Sequence, residues 1–153
     1  MKNLIARMFG TGSHLSPLER LVLECVRERL SEPIAIVWDK QIDAINKVQR
    51  LPKGVEVDFY RLKNGRPSFD EEISFPNRSA ELLIAKIHLE INNMAELTAE
   101  VWCINGFLFS IEYRGGTQYF EEAAGMDPAP QILLNCALTA DLAVNVPGAN
   151  LAG

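Results

Sequence analysis

The stretch ELLIAKIHLEINNMAELTAEVWCINGFLFSIEY, residues 81–113, decides the fold. Its odd positions are almost all apolar: Leu83, Ala85, Ile87, Leu89 and Ile91, then Leu97, Ala99, Val101 and Cys103, then Phe107, Phe109, Ile111 and Tyr113. Its even positions carry Lys86, His88, Glu90, Thr98, Glu100, Ser110 and Glu112. Successive strand residues point to opposite faces, so the pattern predicts three antiparallel strands with one face on a core. Asn105-Gly106 marks the second reversal. A two-residue loop there would pair Ile104 with Phe107 and oppose Val101 to Ser110, mixing apolar and polar sets. A three-residue loop, Ile104-Asn105-Gly106 with a left-handed Gly106, pairs Cys103 with Phe107 and Val101 with Phe109, and is the expected turn. The same argument pairs Ile91 with Leu97 across Asn93-Met94-Ala95.

In that register His88 neighbours Glu100, and Glu100 neighbours Ser110. The order is wrong for a nucleophilic triad, because the histidine must stand between serine and acid. Two inter-strand steps of about 4.8 Å also put His88 out of reach of Ser110. The same face would carry Lys86, Trp102 and Leu108 side by side. A tryptophan beside a leucine among polar neighbours reads as a contact surface, so these three are the expected partner-binding residues. Either a protein partner, a second copy of the chain in a homodimer, or the segment Ile132–Val146 folded back would cover them; the remaining reading is simple exposure, with the Lys86 stem lying over the indole.

Outward from the meander, Ser16-Pro17-Leu18-Glu19 opens a helix with a capping box. Leu18, Leu21, Val22, Cys25, Val26 and Leu30 give it one apolar stripe. Pro33 opens a second helix whose spacing runs through Val48. Val55, Val57 and Phe59 alternate as a strand, and Lys63-Asn64-Gly65 turns it into a hairpin whose return carries Phe69 and Ile73. Arg114-Gly115-Gly116-Thr117 is a turn without a phosphate-binding motif or a helix behind it. The period-two pattern of residues 131–146 reads as extended. The expected fold is α+β: two N-terminal helices packed on one face of a mostly antiparallel sheet, a hairpin plus a three-strand meander. The expected organisation is one domain, 1–153, with a flexible segment at 1–14 and a loosely defined tail at 126–153. A short helical turn through Leu4, Ile5, Met8 and Phe9 is expected within the first segment.

Charge narrows the function. The net charge is −5, and beyond residue 78 only Lys86 and Arg114 stand against nine acidic side chains. Nucleic acid or an anionic membrane would be repelled there. Cys25, Cys103 and Cys136 lack metal-ligand spacing, and His14 and His88 are the only histidines, so no metal, cofactor or catalytic set is expected. Free thiols and the absence of a secretory signal point to the cytoplasm. The reading is a non-enzymatic protein-interaction module. The alternatives are a small enzyme or ligand-binding domain using Asp58, His88, Glu100 and Glu112, and a structural subunit of a larger assembly.

Overall fold

The computed structural model describes residues 14–148; the helical turn expected at Leu4–Phe9 lies outside them. The chain is α+β, as its periodicities require. Helices α1 (Pro17–Arg27) and α2 (Glu32–Asp43) precede strands β1 (Lys47–Arg50) and β2 (Glu56–Tyr60), then the short strands β3 (Leu62–Lys63) and β4 (Arg66–Pro67). The meander follows as β5 (Leu82–Ile91), β6 (Ala95–Ile104) and β7 (Phe107–Arg114), and the described chain closes with α3 (Gln118–Ala124) and β8 (Ile132–Leu138). The main sheet has the order β1-β2-β7-β6-β5-β8, and β3 and β4 form a separate small sheet.

Helix α1 starts as its sequence dictates. Ser16 Oγ accepts from the Glu19 amide at 3.2 Å, and the Ser16 amide donates to Glu19 Oε1 at 2.8 Å, which satisfies two of the helix's orphan donors. Tertiary partners then lock the box. Arg50 of β1 makes a fork to both Glu19 oxygens at 2.9 Å and a third bond to the His14 carbonyl. Ser16 Oγ donates to Glu121 of α3. Leu18, Val22 and Val26 of α1 and Trp38 of α2 are fully buried against Ala85, Ile87, Leu89, Leu97, Ala99, Val101 and Ile111 of the sheet.

Several expected boundaries move. Helix α2 ends at Asp43, and Val48 belongs to β1, which pairs with β2 as Val48 opposite Phe59. The helical spacing of Val48 was therefore coincidental with Ile45, whose burial comes from the loop. The hairpin at Asn64-Gly65 exists but is two residues long on each side. Pro67 has no N–H to extend it, and Glu71–Ile73 is instead a 3-10 turn capped by Asp70. Behind the Gly115-Gly116 turn, where no helix opening was expected, residues 118–124 form α3 and bury Phe120 and Ala123. The tail does not fold over the open face of the sheet. β8 is an edge strand paired with β5, Ile87 opposite Cys136.

The registers of the meander also differ. Ile91 pairs with Ala95 and Leu89 with Leu97, two residues from the expected register. Asn92 and Asn93 both adopt left-handed φ, 50° and 57°, and close a tighter turn in which the Met94 amide donates to the Ile91 carbonyl. A slip of two preserves which face each residue occupies, so alternation could not detect it.

The β6–β7 turn is the two-residue form. Asn105 and Gly106 have φ of 51° and 89°, and Ile104 pairs with Phe107 and Cys103 with Leu108. Parity is restored one pair later by a β-bulge. Trp102 pairs with Ser110 and Val101 with Ile111, leaving Phe109 as the extra residue. A matching irregularity at Ile84 sets Leu83 opposite Trp102 while Ala85 opposes Val101. Buried side chains hold the bulge in place. Gln41, fully buried on α2, accepts from the Leu108 amide at 2.8 Å and donates to the Ile73 and Gly106 carbonyls. Arg61 donates to the Leu108 and Gln41 carbonyls and lies over the Phe107 ring at 5.8 Å. No carboxylate pairs with it among the described residues, and burial lowers its guanidinium to about 10.

Candidate functional site

Helices α1 and α2 pack on the face that carries Val101 and Ile111. The opposite, outer face holds the polar side chains of the meander and of β2. Two rows cross it. Glu56 of β2 stands opposite Glu112 of β7, which stands opposite Glu100 of β6, which stands opposite Lys86 of β5. In the next row Asp58 opposes Ser110, Ser110 opposes Trp102, and Trp102 opposes Leu83. Alternation along each strand puts all of these on one side.

The expected trio of Lys86, Trp102 and Leu108 is not a patch. Leu108 precedes the bulge, has no exposure and belongs to the core cluster. Its place beside Trp102 is taken by Leu83. Lys86 is exposed and reaches Glu100 at 3.9 Å. The row of His88, Glu100 and Ser110 is also dispersed: His88 pairs with Thr98, and Glu100 with Glu112. Phe109, expected in the core against Val101, is half-buried at the bulge and meets Tyr60 edge-on at 5.6 Å.

The outer face is polar but not simply solvated. Asp58, Glu100 and Ser110 are 8%, 5% and 4% exposed, so neighbouring side chains shield them from water. Glu100 is neutralised by Arg114, whose Nε and Nη2 both lie 3.0 Å from its Oε1, and by Lys86. No cation stands at ion-pair distance from Glu56, Asp58 or Glu112 among the described residues, although the nearby Arg114 charge offsets part of the rise of Glu112. The Glu56 and Asp58 side chains come within hydrogen-bonding reach of each other. That contact, with burial and the Asp58 charge, pushes the Glu56 carboxyl up to about 7. Glu112 also lies above the usual carboxylate range, first through burial and then through the charges of Glu56 and Glu100. Asp58 Oδ1 and Trp102 Nε1 are buried without a hydrogen-bond partner. The indole is turned towards Glu112, which offsets part of that carboxyl's shift, but the two do not meet in hydrogen-bonding geometry. A proton on Glu56 would supply Asp58 with a donor; an incoming cation would do the same for the whole group.

Asp58, Glu100 and Glu112 stand among the residues named from sequence for a ligand-binding face, and the sheet brings them together. His88 lies apart, at the far end of β5. Glu56, the most perturbed carboxyl, was missed. Its signal was present: in a strand, residues 56 and 58 share a face, and the only open question was which strand β2 paired with. A cleft of about 620 Å³ lies between Ser74–Arg78 and Asn145–Gly148 and is lined by none of these residues. Asn77, formally a glycosylation acceptor, is buried and donates to the Asp141 carbonyl. The cysteines are free thiols. Cys25 and Cys136 interact through their side chains, which holds Cys136 low and Cys25 high.

No helix among the described residues is long and apolar enough to cross a membrane. Compared with protein-family models, with curated proteins and with solved structures, the chain matches none.

Proposed function

We propose that this chain is a non-enzymatic protein-interaction module whose outer sheet face takes a basic segment of a protein partner. The observation that carries the reading is the group Glu56, Asp58 and Glu112 beside the half-buried Trp102: no cation stands at ion-pair distance from any of the three among the described residues, and Glu112 feels only Arg114, which Glu100 already engages. Desolvated like charges repel each other, and an arginine or lysine side chain set among them relieves that repulsion. Trp102, Tyr60 and Phe109 on the same side offer ring faces for the stem and head of such a side chain. Charge decides against a second copy of this face, because a homodimer through it would set carboxylates against carboxylates.

The test uses an extended peptide of alternating arginine and valine, followed by tryptophan emission. Trp38 is fully buried, so Trp102 is the reporter, and Trp102→Phe supplies the blank. Binding that weakens as salt rises, and that falls at least about tenfold in the Asp58→Asn, Glu112→Gln double variant, a loss of about 1.4 kcal/mol, supports the reading. Equal binding by the double variant, or a silent Trp102 at millimolar peptide, overturns it. A salt-stable dimer in light scattering, lost on Trp102→Lys, would transfer the face to self-association.

A further inference from the structure

At the far end of the same face, where β5 turns into β6, a different set of side chains converges. We propose that His88, Glu90 and Glu96 form a solvent-open site for a divalent transition metal of the zinc class. His88 and Glu90 are two residues apart on β5 and so share a face, and Glu96 lies directly opposite Glu90 on β6. One ligand atom from each residue can be chosen so that all lie within 4.8 Å of one another. His88 Nε2 is 3.7 Å from Glu96 Oε1.

The strands themselves set this geometry. β5 is paired on both sides, with β6 and with β8, so the three Cα positions are fixed by ladders rather than by a loop. Like charges directly opposite one another on neighbouring strands destabilise a sheet. Glu90 and Glu96 are such a pair, and Leu133, across from Glu90 on β8, offers no compensating charge. Glu90 has no ion pair of its own among the described residues. A dication between the two carboxylates converts that repulsion into ligation.

The donor set chooses the metal. One imidazole with two carboxylates suits zinc and its first-row neighbours, whereas calcium asks for six to eight oxygens. Tetrahedral zinc with bonds near 2.0–2.1 Å holds its ligand atoms roughly 3.3 Å apart. The side chains must therefore close by up to about 1.5 Å, from within 4.8 Å to roughly 3.3 Å, and they can. His88 and Glu96 are 46% and 68% exposed, so their rotamers adjust without disturbing the core. Three protein ligands leave at least one position for water or for a donor from a partner.

The full chain, titrated with zinc chloride, gives the test through its imidazole proton resonances. With only two histidines in the sequence, His14 serves as the internal reference. The His88 signals should move to saturation near one equivalent at tens of micromolar zinc while those of His14 stay, and calcium should move neither. Glu96→Gln and Glu90→Gln, conservative changes that keep the fold, should each weaken the effect at least about tenfold. An unmoved His88 at equimolar zinc, or wild-type affinity in both variants, overturns the site. So does a thiolate charge-transfer band with cobalt(II), which would put the ion on Cys25 and Cys136.

Discussion

The two faces of the meander are made by the same strands and are buried by different means. On the inner face Ile87, Leu89, Val101 and Ile111 lie under α1 and α2 with no exposure at all, and their stability comes from apolar area removed from water. On the outer face Asp58, Glu100 and Ser110 are nearly as hidden, but of the two buried carboxyls only Glu100 has cations beside it, Arg114 and Lys86. The inner face closes on itself. The outer face, with Glu56 raised to about 7 and the Asp58 Oδ1 acceptor buried without a partner, would gain from a proton or a cation brought to its carboxyls. One sheet thus separates the apolar face that folds the molecule from the carboxyl-bearing face proposed to bind.

The sharpest way to break that comparison is at the bulge, where Phe109 and Ile111, two residues apart on β7, serve opposite faces. Ile111→Ala removes a fully buried side chain opposite Val101 and should cost about 2–5 kcal/mol, read from urea midpoints at constant slope. Phe109→Ala removes a larger side chain that is only half-buried against Tyr60. It should cost about 1–2 kcal/mol, well below a core phenylalanine. If Phe109 proved the more damaging, the bulge would be misplaced and Leu108 would return to the outer face.

The smallest effect concerns proton linkage. Between the ordinary carboxyl value of 4.5 and about 7, Glu56 holds its proton in the folded chain and loses it in the unfolded one. The native state then binds more protons, so stability falls as pH rises through that window and levels off above it. The group is partly exposed and solvent-screened, so the loss should stay under about 1 kcal/mol. Glu56→Gln should flatten the difference in denaturation midpoint between pH 5 and pH 8. An unchanged difference would show that Glu56 titrates like any surface carboxyl and would remove the basis for a cation-seeking face.

Much of this architecture is legible in residues 81–113 because alternation reports the face of each side chain directly. It is blind to shifts that keep parity. The two-residue slip at Asn92-Asn93 left every side chain on its expected face yet separated His88 from Glu100 and brought Glu90 opposite Glu96, so the His88 cluster could not be seen in advance. The bulge at Phe109 was invisible for the complementary reason. The need to restore parity after Asn105-Gly106 was evident, but a bulge in the turn and a bulge one pair further satisfy it equally. That choice moved Leu108 into the core and Leu83 out beside Trp102.

The sequence by itself determined the α+β class, the capping box at Ser16 and Glu19, the two reversals of the meander and the acidic character of its outer face, since each rests on neighbours within a few residues. Only the tertiary structure decided where the bulges fall, because Gln41 and Arg61 reach from α2 and the end of β2 to take the Leu108 amide and carbonyl. It also decided that β2 lies against β7, which sets Glu56 and Asp58 opposite Glu112 and Ser110. Strand order is a matter of contacts between residues some fifty positions apart, and no local pattern of side chains encodes it.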